Sequence, residues 1–160
     1  MPSTTESILA QWFRRVWNEN DPAAIDDLLA PEAVVHGLAE QPIRGAAEFR
    51  DFHRAFGQSV GRIQITVERE VSARGTDGDE INVAWGSVVV LGNDGPTPVR
   101  FDGCGWVRHR DGQIREGWNS WDFLGLLERM SLLPAGSLGL ALTGQLRPHP
   151  QVRAQAVVAD

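Results

Sequence analysis

The sequence predicts an α+β fold in which N-terminal helices pack on the concave face of a curved antiparallel (mixed) sheet. Three observations predict it. Apolar residues recur at helical spacing from Ile8 to Phe56, and from Arg62 onward the apolar period becomes two. Asp-Gly pairs at Asp77-Gly78 and Asp111-Gly112 then stitch the later strands into hairpins. Helices first and long antiparallel strands after them make a two-layer α+β arrangement.

Ser3-x-x-Glu6 has the pattern of a capping box. It leads into Ile8, Leu9, Trp12, Phe13, Val16 and Trp17, an i, i+4 stripe. Asp21-Pro22 restarts a helix, with Asp as N-cap and Pro in the first turn; Ile25, Leu28 and Leu29 face inward and Pro31 stops it. Ala33 to Leu38 reads as a short strand, and Gly45 opens a third helix carrying Phe49, Phe52 and Phe56. Ile63, Ile65 and Val67 alternate along the next strand, and the Asp77-Gly78 turn leads to a strand from Glu80 to Leu91. The loop GNDGPTP precedes a strand from Val99 to Arg110, which Asp111-Gly112 turns into the last one, Gln113 to Trp121. Asp122 is placed to cap a helix running to Met130. One domain over residues 1–133 is expected, followed by an extension over 134–160 in which Leu138, Leu140 and Leu142 suggest a short strand.

Composition narrows the function. The chain of 160 residues has a net charge of −6, which disfavours nucleic acid and anionic membranes as general partners. A lone cysteine, Cys104, forms no internal disulfide and fits a reducing, cytoplasmic setting. The N-terminus lacks the basic start and apolar run of a signal peptide, and nothing approaches the roughly 18 apolar residues of a membrane span. There is no lysine, so Schiff-base chemistry is excluded, and no tyrosine, so no phenol holds an oxyanion. The four histidines, at 36, 53, 109 and 149, have no metal-ligand spacing, and no metal is expected.

A two-residue turn at Asp111-Gly112 sets a register. Arg110 would pair with Gln113, and then Cys104 with Asn119, Trp106 with Gly117 and Asp102 with Trp121, side chains that share one face. Aromatic walls, a carboxylate, an amide and a thiol would then converge, as in a small-molecule pocket. A single bulge would turn part of that face around.

GPTPVRF, the RDGQI turn and GWNSWDFLGLLERM, in this order of elements, resemble the SnoaL-like polyketide cyclases, which have the cone-shaped nuclear transport factor 2-like fold. The resemblance spans about residues 8–133 as a pattern of elements. It implies a deep pocket between helices and sheet, commonly in a homodimer, and acid–base ring closure on a polycyclic or terpenoid-like substrate without a cofactor. The family usually carries an aspartate directly after the tryptophan of the last strand, where this chain has Asn119. It also tends to carry a histidine on the central strand, where this chain reads WGSVVVLGN.

The candidates follow. Asp102, held between Trp106 and Trp121, would be the proton carrier; the plain alternative is a carboxylate paired with Arg100. Asn119 would orient a substrate carbonyl or a water, or else satisfy backbone at the strand end. His36, near the end of the first strand, would be a base at the pocket mouth or a hydrogen-bonded loop residue. Trp85, Trp106 and Trp121 would be walls or core, Cys104 a small buried hydrophobe, His53 an edge of the pocket or packing, and Arg100 a neighbour of Asp102. The leading function is cofactor-free acid–base cyclisation, isomerisation or hydration of a hydrophobic small molecule. A non-catalytic ligand-binding protein of the same fold is the alternative, and an epoxide hydrolase a third.

Overall fold

The computed structural model describes residues 6–92 and 98–145. The chain divides into two compact units, Met1–Asp122 and Phe123–Asp160. In the first, α1 (Ile8–Trp12) is capped by Ser7, whose Oγ accepts from the Ala10 amide at 3.0 Å. Ser3 of the expected capping box lies outside the described residues. The helix continues as a π-helical turn over Phe13–Asn18, which the apolar stripe did not foretell. There the Glu19 amide donates to the Arg14 carbonyl and the Asp21 amide to the Arg15 carbonyl, each at 2.9 Å. Residue 22 is a proline without an N–H, so the Val16 carbonyl is left for a side chain to satisfy.

Asp21 caps α2 (Pro22–Leu28) as expected, accepting from the Ala23 amide at 3.0 Å. The helix ends before Pro31, because Leu29 is already extended (φ −104°) and starts β1 (Leu29–His36). Pro31 is tolerated in that strand because the β1 pairing shifts register between Leu29 and Val34, where a missing N–H costs no ladder bond. After β2 (Ile43–Arg44) comes α3 (Gly45–Val60), then β3 (Arg62–Arg74), β4 (Glu80–Leu91), β5 (Val99–Arg110) and β6 (Gln113–Trp121). Most of the loop expected before β5, residues 93–97, lies outside the described residues.

The six strands form one curved, unclosed sheet ordered β2-β1-β6-β5-β4-β3. It is mixed, because β1 runs parallel to β6 while every other pair is antiparallel. Leu9, Trp12, Phe13 and Val16 are buried on the face that carries Ile63, Val88, Val90 and Phe101. Phe49 of α3 meets Trp12 edge-on at 4.9 Å, a contact worth about 0.5–1.5 kcal/mol beyond its buried area. The exposed edge of β3 is closed by Asn18. Its Oδ1 accepts from the Ile65 amide at 2.6 Å and its Nδ2 donates to the Ile65 carbonyl at 2.9 Å.

In the second unit, α4 covers Phe123–Arg129 and α5 covers Ser137–Leu142. The leucines read as a strand are therefore helical. Gly136 enters at φ +78°, the Leu140 amide bonds the Gly136 carbonyl at 3.0 Å, and the Thr143 amide bonds that of Gly139. Local helical bonds satisfy that backbone, and no strand pairs with it among the described residues. No helix among the described residues is long and apolar enough to cross a membrane.

Candidate functional site

The last hairpin begins in the expected register and then leaves it. Asp111 (φ +54°) and Gly112 (φ +77°) make the two-residue turn, and Arg110 faces Gln113. A bulge at Arg115 inserts one residue, so Arg108 faces Glu116, Trp106 faces Trp118, Gly105 faces Asn119 and Gly103 faces Trp121. The expected common face is therefore split. Asn119 and Trp121 lie on the helix-covered face with Phe101, Gly103 and Gly105, while Asp102, Cys104 and Trp106 lie on the opposite, outer face.

Asp102 is thus not sandwiched between Trp106 and Trp121. Its side chain is 51% exposed and 3.4 Å from Arg100, whose guanidinium also binds Glu68 at 2.8 Å. The desolvation that would have made it a proton carrier is missing. Cys104 faces Ser120 instead of Asn119, with Trp85 on its other side.

Asn119 does turn toward the helices, where both ends of its amide are occupied. Nδ2 donates to the His36 carbonyl at 3.1 Å, and Oδ1 accepts from the Trp121 indole N–H at 3.2 Å. Trp121 meets the ring of Phe13 edge-on at 5.9 Å. A Cβ at Gly103 would come within 2.4 Å of Trp121 Cε3, so the glycine makes room for Trp121. Here Asn119 locks β6 to the end of β1.

His36 contributes only its backbone to that lock. Its ring lies on the outer face, stacked on Trp118 at 4.7 Å and 3.4 Å from Glu116. Trp118 in turn stacks on Trp106 at 4.0 Å. The ladder continues this row through Val83 to Val71, and Trp85 is half-exposed beside it.

His53 lines a cavity. A hollow of about 720 Å³ opens between the end of the π-helical turn, α2, α3 and the start of β3. Trp17, Ile25 and Ile63 supply apolar lining, and His53 and Asn18 supply polar groups. His53 Nε2 lies 3.0 Å from the Val16 carbonyl, the one the π-helical turn left unsatisfied. A carbonyl only accepts, so Nε2 must carry the hydrogen and Nδ1 keeps its lone pair. Nδ1 has no hydrogen-bond partner among the described residues. Burial pushes the imidazole pKa down, outweighing the opposite pull of the Val16 carbonyl, so the ring is neutral at pH 7. A neutral imidazole of fixed tautomer beside a cavity can accept a proton and give it back.

The sequence offered His53 as a pocket edge or as packing, and did not find Trp17, Gly57 or Arg62 as its neighbours around this cavity. The DP step after the first helix was the available signal. It marks where the first helix runs out of amide donors.

The sequence model of the SnoaL-like domain matches residues 9–117. Among solved structures, the chain is similar to a Jannaschia sp. CCS1 protein assigned to the SnoaL-like polyketide cyclases. Identity is 18% and the TM-score 0.66, over 79% of this chain and 91% of that one. It is similar to IdmH from Streptomyces antibioticus at 21% identity and TM-score 0.64, over 78% and 96%. A Catenulispora acidiphila protein with a ketosteroid isomerase-like fold, solved with trimethylamine, has 19% identity and TM-score 0.66, over 82% and 97%. No curated protein matches the chain. At such identities the solved structures speak to fold alone. The domain match runs from α1 to the centre of β6, more than half of the sequence, and by it this chain belongs to the SnoaL-like domain family.

Proposed function

We propose that this chain is a small-molecule enzyme that isomerises or cyclises a largely apolar substrate by proton transfer, with His53 as the base and no cofactor. One observation carries the reading: a half-buried, neutral imidazole lines a 720 Å³ cavity with one nitrogen committed to the Val16 carbonyl. The polyketide cyclases and the ketosteroid isomerase-like fold named among its structural relatives support the class of chemistry. In the reaction, Nδ1 takes a proton from carbon next to a carbonyl. The imidazolium so formed strengthens the Nε2–H bond to Val16, and Nδ1 returns the proton at a second atom. Trp17 and Ile63 give the apolar walls against which the substrate lies.

A protein that binds a hydrophobic ligand without turning it over is the second reading. It is favoured by Asn119, which stands where the family usually has its acid and has both amide ends occupied. The two part on the exchange of α-hydrogens of 2-tetralone in buffered D2O, followed by mass spectrometry. The enzyme reading expects catalysed exchange that falls on the order of 100-fold in His53→Gln. Equal rates for the two proteins would leave only the binding reading.

The outer row of His36, Trp118, Trp106, Val83 and Val71 supports a homodimer, each copy burying this row against the other. On this face Val71, Val83 and Trp85 are exposed together among the described residues, more than isolated exposed residues explain.

A further inference from the structure

The cavity beside His53 has a charge character that the chain as a whole lacks. Net charge is −6, yet the lining contains Arg50, Arg54 and Arg62 against a single carboxylate, Glu19. Glu19 is held by Arg14 at 2.8 Å, and Arg50 is held by Asp26. Arg54 pairs with Asp51 at 3.2 Å, but the two side chains are 65% and 75% exposed, and pairs in that setting exchange readily. Arg62 pairs with Leu91 through its backbone, and its side chain makes no hydrogen bond or ion pair among the described residues. Space is available too, for a Cβ added at Gly57 would meet nothing within 4 Å.

We infer that the cavity takes an organic carboxylate. Its apolar or aromatic body lies against Trp17, Ile25 and Ile63, and its carboxylate is held by Arg62, with Arg54 exchanging from Asp51. A carboxylate so placed fixes the rest of the molecule relative to His53, as a paired charge does when it sets register in a site. The inference rests on reading this cavity as the reaction site and adds the substrate class to it.

The test uses 2-naphthoate and its neutral counterpart 2-naphthamide, titrated into the full chain at low ionic strength and followed by tryptophan fluorescence. Naphthoate is expected to bind roughly tenfold tighter, a preference that falls to about twofold or less in the Arg54→Gln, Arg62→Gln double variant. Gly57→Leu replaces a helical glycine with a better helix former and fills the space, so it should abolish naphthoate binding without lowering the melting temperature. Equal affinity for the two probes, no naphthoate binding, a preference that survives in the double variant, or full binding by Gly57→Leu would each overturn the inference. Arginine-dependent binding without His53-dependent exchange of tetralone would keep the inference and remove the catalytic reading. Exchange without a carboxylate preference would do the reverse.

Discussion

The imidazole of His53 sits beside the Trp17 indole, ring centroids 4.7 Å apart, in surroundings that favour its uncharged form. A histidine whose folded pKa lies below its unfolded value binds fewer protons when folded. Its share of stability is whole above about pH 6.5 and is lost as pH falls through the folded pKa. His109 acts in the same direction, because burial lowers it more than Glu80 and Asp79 raise it. Neither environment shows in the sequence, since each depends on residues far away along the chain. The faces of the last hairpin illustrate the same limit. The turn and both strand ranges were legible from Asp111-Gly112 and from the alternation before it. The bulge at Arg115 was not, because Gly117 has no side chain to mark its face and the run WNSW puts an indole on each side. One inserted residue moved Asp102 from the expected pocket to the outer surface.

The N-terminal helix was legible from its apolar stripe, but its π-helical end was not, because periodicity reports which face is buried and not which carbonyl each amide reaches. That end supplies two connections, the Val16 carbonyl for His53 and the Asn18 side chain for the edge of β3. Asn18→Ala should remove both bonds to Ile65 and destabilise the protein by about 2 kcal/mol in urea unfolding, with faster hydrogen exchange at the Ile65 amide. Unchanged stability and exchange would mean that the edge is closed by packing alone. At the other end of the sheet, Arg108 and Arg110 hold Asp79, 2% exposed, between two hairpins. Arg108 beside it holds the Asp79 carboxyl below the usual carboxylate range. The α5 helix shows why a leucine alternation misleads: Leu138 and Leu142 are also four apart, a spacing that suits a helix as well as a strand.

The arrangement of helices on a sheet of antiparallel hairpins was readable because it follows from periods and turns, which are local; the parallel pairing of β1 with β6, which makes the sheet mixed, joins distant parts of the chain and was not. The cavity was not, because its wall joins residues near Trp17 to residues near Gly57 and Arg62, which meet only after folding. The proposed dimer is likewise a property of the assembled sheet, since its row takes residues from five strands. Trp85→Glu places a charge beside that row, and sedimentation equilibrium should find a dimer for the natural chain and a monomer for the variant. A monomeric natural chain would remove the proposal. The most direct measurement is the nitrogen-15 spectrum of the His53 ring against pH, assigned with His53→Gln. A hydrogen on Nε2, a bare Nδ1 and a pKa below 6.5 are expected. A hydrogen on Nδ1, or a pKa at or above 6.5, would contradict the assignment of His53 as a base poised at the cavity.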